Sequence, residues 1–514
     1  MAKSIMIQGT GSSVGKSVLV TALCRMFLQD GLRPCPFKAQ NMALNSFVTQ
    51  DGGEMGRAQV TQAHAAGLAP CVDMNPVLIK PTTERKAQII VQGKPVANMQ
   101  AKEYNSYKKR ALTAALESLY RLKKKYGIIV IEGAGSPAEI NLKKHDIVNM
   151  KIAEAADSPV ILAADIDKGG VFASLVGTLE LLTEQERKRI KGFIINKFRG
   201  DKNLLKPGLS FLEKRTGKPV LGVVPYFKDI MLPEEDSVAL ENKIQCSCPI
   251  YWAKKGALDR KTNAQTINIT VIRLPYISNF TDFDALEKEP DVRLRYVGNR
   301  EELDGANVII IPGTKNTITD LAWLKRTGIF EKILSAVTDL SPSTFHLRPI
   351  LIGICGGYQM LGEYIYDSTG IESRQKNVTG LGLLPITTKF MPEKVLSQTT
   401  AVEIKTGIEL KGYQIHHGRA INLNGASPVF RVKGKKSFDG VEANEGRVWG
   451  TYLHGIFDND IFRRDFLNRV RNNLGLKALC PSRPRFSLDN EFDKLADLVR
   501  KNIDMKLLYR ILNA

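Results

Sequence analysis

Two short stretches carry residues able to do chemistry, and they ask for different chemistry. Gly9-Thr10-Gly11-Ser12-Ser13-Val14-Gly15-Lys16-Ser17 is a glycine- and serine-rich turn that ends in a Lys-Ser pair. Backbone N–H groups of such a turn point at phosphate oxygens, the lysine reaches the terminal phosphates of ATP, and the serine hydroxyl is a hard ligand for Mg²⁺. The second stretch, Gly353-Ile354-Cys355-Gly356-Gly357-Tyr358-Gln359, sets one cysteine among three glycines. Glycines clear the space around a nucleophile in a tight strand-to-helix turn, and the helix N-terminus raises the thiolate fraction. His454, in Thr451-Tyr452-Leu453-His454-Gly455, is the natural base. His416 and His417 compete for that role, from a stretch that reads as a substrate-side loop. The backbone N–H groups of Gly313 and Gly356 are candidates for an oxyanion hole. A phosphate loop joined to a thiol that takes ammonia from glutamine points to ATP-driven amidation of a carboxylate.

These residues need elements to hold them. Short apolar strands alternate with amphipathic helical stretches, the pattern of an α/β protein with parallel sheets covered on both faces. Strands are expected at Ser4 to Gln8, Ile128 to Ile131, Pro159 to Ala163, Gly192 to Ile195 and Val220 to Val223, then at Ile267 to Leu274, Val308 to Ile311, Ile350 to Ile354 and Arg447 to Tyr452. A helix should follow the phosphate loop over Lys16 to Leu28. At 514 residues the chain is too long for one ordinary core. The divisions expected are 1–228 for the nucleotide domain, 229–266 for a linker, 267–490 for the glutaminase domain and 491–514 for a terminal helix.

Composition narrows the partners. Lys plus Arg exceeds Asp plus Glu by 20, but the basic residues are scattered in short clusters, which argues against nucleic acid and for a small polyanionic substrate. No apolar run reaches the length of a membrane span. The first residues enter a strand without a secretory signal, and seven cysteines lack framework spacing, so a cytoplasmic protein is expected. Oligomeric state is left open.

Mg²⁺ needs further oxygen ligands. Glu132 closes an apolar strand and precedes Gly133-Ala134-Gly135, so it should project into the phosphate crevice; Asp51 and Glu54 are further metal candidates. Asp165 and Asp167 end another strand, as metal or substrate ligands or as helix caps. Asn196 ends a third and is assigned to the nucleotide, at the adenine edge. Lys80, Arg85 and Lys86 are candidate anion contacts or a solvated basic turn.

The loop departs from the usual pattern in having Thr10 where a first glycine is expected and glycine at position 9, and in this it resembles the dethiobiotin synthetase-like branch of P-loop proteins. Gln8 to Ser17, Gln40-Asn41-Met42-Ala43-Leu44-Asn45-Ser46, Asp51 to Gln59, Asp73-Met74-Asn75-Pro76, Asn196 to Asp201, Ile277-Ser278-Asn279-Phe280-Thr281-Asp282-Phe283, Gly313 to Asp320 and Gly353 to Gly362 together resemble the cobyric acid synthase family over nearly the whole chain. The resemblance implies a corrinoid substrate, adenosylcobyrinic acid a,c-diamide, whose carboxylates b, d, e and g become amides, with glutamine as ammonia donor. Asn41 and Asn45 belong to its substrate-side run. The C-terminal half resembles class I glutamine amidotransferases, whose triad has a Glu two residues after the His. Ile456 stands there, a loss the resembled family shares, so the orienting partner of His454 is left unidentified. Two alternatives differ in kind: cobyrinate a,c-diamide synthase, and a non-catalytic partitioning-type ATPase. The second leaves Cys355 without a purpose and lacks its marker lysine, since position 11 is glycine.

Overall fold

The structure is a computed structural model that describes residues 2–82, 86–233, 266–338, 348–373, 375–480 and 487–513. It divides into two units, one of 1–43, 53–235 and 487–514, the other of 44–52 and 236–486. The expected linker falls largely on 234–265, outside the described residues.

The first unit is built on a six-stranded parallel sheet, in the order Val220–Pro225, Ile190–Phe198, Val160–Asp165, Lys3–Gly9, Ile128–Glu132, Pro34–Phe37. Its central strands are continuous apolar runs because both faces are covered; Ile128–Glu132 and Val160–Asp165 are buried at every position. Lys3–Gly9 lies between those two strands, so Gly9, Glu132 and Asp165 reach the same carboxyl edge, where open α/β sheets bind ligands. A smaller sheet of Gln40–Met42, Val77–Pro81, Lys86–Val91 and Lys94–Gln100 adjoins the helix Ala101–Lys125.

The tail differs from the single helix expected over Phe492 to Leu512. It forms two helices, Leu488–Arg500 and Met505–Asn513, belonging to the first unit. Between them Asp504 N–H donates to Leu221 O at 2.6 Å and Ile503 bridges Gly222, so sheet pairing interrupts the helix. Phe492, Leu495 and Val499, at helical spacing, enter the same core as Val20, Phe27 and Ile194.

The second unit carries an eleven-stranded mixed sheet among its described residues. Its parallel part runs Val292–Val297, Ile267–Ile272, Val308–Ile311, Ile350–Ile354, Val448–Thr451. An antiparallel part continues through Phe438–Ala443 and Ser427–Val432 to the long pair Ile386–Glu403 and Glu409–Asn422. The stretch with His416 and His417, expected as a loop, is therefore the middle of a strand. Its polar residues disguise it, but pairing with the long neighbouring strand satisfies the backbone and makes their polarity tolerable. Among the described residues no helix is long and apolar enough to cross a membrane.

Candidate active site

The phosphate loop is held open from within the first unit. Ser13 and Gly15 have φ of 58° and 96°, and a Cβ on Gly15 would lie 2.1 Å from Asn196 Nδ2, so this position accepts only glycine. Asn196 Nδ2 donates to Val14 O at 2.9 Å, and Lys197 Nζ donates to Ser13 O at 2.6 Å and meets Asp165 at 2.9 Å. The Asn196 amide nitrogen thereby braces the loop. Lys16 donates to Gly11 O at 2.8 Å and Gly135 O at 3.1 Å. Ser17 Oγ donates to Glu132 Oε1 at 2.9 Å, which brings those two expected metal ligands together.

Two partners of Glu132 escaped the sequence reading. The carboxylate is fully buried, and Lys38 Nζ contacts the same oxygen at 2.7 Å while Gln62 donates to the other. A buried carboxylate without a countercharge costs several kcal/mol, so Lys38 is what permits it. Lys38 follows the buried strand Pro34–Phe37, and a lysine at that edge was the available signal. Asp167 ion-pairs with exposed Arg199.

Other candidates go elsewhere. Glu54 and Lys80 form one buried ion pair at 3.0 Å, which corrects the solvated-turn alternative for Lys80. Asp51 accepts from Thr49 Oγ1 and belongs to the 44–52 segment of the second unit. Asn41 donates to Gln59 in the first unit at 3.0 Å, whereas Asn45 is buried in the second. Lys86 is exposed at the start of a strand, and Arg85 lies outside the described residues. Among the described residues no three His, Cys, Asp or Glu side chains form a metal cluster.

In the second unit Cys355 has φ 51° and ψ −105°, between the strand Ile350–Ile354 and the helix Gly356–Leu361. Such strained backbone at a strand-to-helix elbow is a mark of a functional nucleophile. Its N–H donates to Thr451 O at 2.8 Å, and a Cβ on Gly357 would come within 1.9 Å of Ile311 O, so the elbow closes only over glycine. Ile354 pairs in register with Thr451, which puts Cys355 and His454 at one edge of parallel strands. Gly313 joins them: a Cβ there would stand 3.0 Å from His454 Cε1. A Cβ on Gly356 would stand 3.2 Å from Thr314 N, beside Gly313.

The orienting partner of His454 is Asp282. Its Oδ2 lies 2.6 Å from His454 Nδ1, and its Oδ1 accepts from Gly455 N–H at 3.1 Å. This leaves His454 Nε2 for the thiol, with no other partner among the described residues. Burial works to lower the pKa of His454, but the Asp282 carboxylate and then Cys355 outweigh it and push it up to about 10. The site therefore favours the imidazolium form of His454. His416 differs from His454: burial pushes its pKa down to about 3, and it stacks on Tyr452 with Nδ1 on Gly418 O. His417 is half-buried, with Nδ1 on Met391 O at 3.1 Å.

A phosphate-loop sequence at the edge of one sheet and Cys355, His454 and Asp282 brought together at the edge of another fit a nucleotide-binding domain joined to a glutamine amidotransferase domain. Residues 5–238 match the CobQ/CobB/MinD/ParA nucleotide binding domain and 268–462 the CobB/CobQ-like glutamine amidotransferase domain. A cobyric acid synthase of Pelotomaculum thermopropionicum is 49% identical, covering 100% of this chain and 97% of its own. One of Syntrophobacter fumaroxidans is 46% identical, covering 99% of each. The chain belongs to the cobyric acid synthase family, amidating ligases of cobalamin biosynthesis.

Proposed function

We propose that the chain uses ATP and glutamine to amidate carboxylates b, d, e and g of adenosylcobyrinic acid a,c-diamide, with Cys355, His454 and Asp282 as the glutaminase and the Lys16 loop as the carboxylate-activating site. The observation that carries this reading is the 2.6 Å contact of Asp282 with His454, whose other nitrogen is left for Cys355. It supports Asp282, from an upstream segment, as the orienting partner that the Ile456 position does not supply.

Cys355 Sγ attacks the glutamine carboxamide carbon, and N–H groups near Gly313 and Gly356 receive the developing oxyanion. His454 gives its proton to the departing ammonia; it then takes one from the water that hydrolyses the thioester to glutamate. Asp282 holds the tautomer and offsets the imidazolium charge. In the first unit a corrinoid carboxylate oxygen attacks the γ-phosphorus of ATP, ADP leaves, and ammonia displaces phosphate from the acyl phosphate. Activation is required because a carboxylate is a poor electrophile at neutral pH. Lys16 stabilises the charge on the transferring phosphoryl group. Ser17 and Glu132 are hard oxygen donors that already meet, so they fit Mg²⁺ and would hold it; when bound, the ion neutralises phosphate charge.

The test is mass spectrometry of the corrinoid after incubation with adenosylcobyrinic acid a,c-diamide, ATP, Mg²⁺ and amide-¹⁵N glutamine. Four labelled amides are expected. Glutamine hydrolysis and ATP turnover without label would move the amidation to another carboxylate substrate.

A further inference from the structure

Residues 44–52 lie between two parts of the first unit in sequence yet belong to the second unit, where they reach both groups that hold His454. Ser46 N–H donates to Asn279 Oδ1 at 3.0 Å. Asn279 is buried, has φ 54°, and caps the short helix Phe280–Phe283 that carries Asp282; its carbonyl accepts from Asp282 N–H at 3.0 Å. Asn279 Nδ2 donates to the Tyr413 hydroxyl at 3.3 Å, and that hydroxyl donates to Ser46 O at 3.4 Å. One peptide unit region around Ser46 is thus gripped on both its N–H and its C=O sides.

Tyr413 in turn lies against the catalytic histidine. Its ring stacks on His454 with centroids 5.2 Å apart and planes 20° apart, and the two residues exchange backbone hydrogen bonds of 2.9 and 3.2 Å. On its other side Phe47 packs at 5.2 Å, within a cluster that includes Val48 and Ile415. Ile415 O is the acceptor 3.7 Å from Cys355 Sγ. Gln398 Nε2 secures the segment through Val48 O. Ser46 therefore connects by direct contacts to the neighbours of Asp282 and His454.

We propose that Asn279 and Tyr413 are positioning residues for the His454–Asp282 pair and that the segment around Ser46 holds them in place. The inference rests on the reading of Cys355 and His454 as the glutaminase. Asn279 sets the start of the helix that delivers Asp282, and Tyr413 sets the plane of the imidazole.

The experiment measures glutamine-dependent and ammonia-dependent amidation by the full chain across pH. Asn279→Gly keeps the positive φ at no steric cost while deleting the side chain. It should lower kcat with glutamine by about 10- to 100-fold, with KM little changed and ammonia-dependent synthesis retained. The titratable groups around His454 are Cys355, Asp282, His416 and Tyr413, and loosening Asp282 should move the alkaline limb of the glutamine profile downward. Asn279→Asp, which keeps an acceptor for Ser46 N–H, should recover part of the loss. Ser46→Pro, which removes that N–H, should reproduce the Asn279→Gly profile. Wild-type kcat and pH profile in Asn279→Gly, while Cys355→Ala abolishes glutamine use, overturns the positioning inference and leaves the glutaminase reading standing. Retained glutamine use in Cys355→Ala overturns that reading itself. If Asn279→Gly also loses ammonia-dependent synthesis, Tyr413→Phe decides by deleting a single hydroxyl: a loss of about 2- to 10-fold is expected, and an unchanged kcat and profile overturns the inference.

Discussion

The two reaction centres share one design and differ in how complete the chain makes them. Each lies where a parallel strand turns into a helix, at the carboxyl edge of a sheet, with residues in positive φ at the turn. At the thiol site the charges are matched internally: Asp282 faces His454, and His454 faces Cys355. At the phosphate loop Lys16 donates to the carbonyls of Gly11 and Gly135, while Lys38 compensates Glu132. A nucleophile must be activated before its substrate can react, so its acid–base partners are built in. A phosphate site receives several negative charges with its ligand, so its cationic and N–H groups need only be held in place.

The largest expected effects separate the centres. Cys355→Ala should reduce glutamine-dependent synthesis by roughly 10⁴-fold or more while preserving synthesis from free ammonia, whereas Lys16→Ala should stop synthesis from either nitrogen source. Assays with both donors check this, and equal losses in the two variants would erase the distinction. Asp282→Asn should follow, with a fall of about 10²- to 10⁴-fold in glutaminase kcat. The raised pKa of His454 means that its charged form persists below about 10 and is lost above it. Removing the Asp282 charge should therefore bring the alkaline limb down toward the ordinary histidine value of about 6.5; a limb that stays in place would remove Asp282 from the site.

At the nucleotide centre, Gly15→Ala must force positive φ on alanine and move Asn196, at a cost of about 1–3 kcal/mol. ATP affinity by calorimetry should weaken by about 5- to 150-fold, with glutaminase turnover unaffected. The smallest effect is expected at Arg25, whose partners Asp493 and Asp489 are 46% and 72% exposed. Screening limits such pairs to about 0.2–1 kcal/mol, so Arg25→Ala should shift the melting temperature by no more than about 3 °C.

Both turns could be read directly from local sequence. A run of glycines beside Lys16-Ser17, or around Cys355, has a local steric reason, and the apolar strands before them appear at almost the expected bounds. The strand-end rule also led correctly from Ile128–Glu132 to the meeting of Glu132 with Ser17. The polar strand Glu409–Asn422 was missed because its partner, not its own periodicity, makes it a strand. Glu54 and Lys80 looked like separate surface ligands because nothing in their spacing reveals that one neutralises the other in the interior.

Residue order thus specified the two elbows, the cysteine and lysine set in them, and the alternating strands and helices, since each depends on contacts within a few residues. Asp282 as the partner of His454, Lys38 as the counterion of Glu132, and the assignment of Ser46 to the glutaminase unit arose only on folding. Those contacts join residues far apart in the chain, and the burial and charge compensation that select them exist only once the sheets have brought them together.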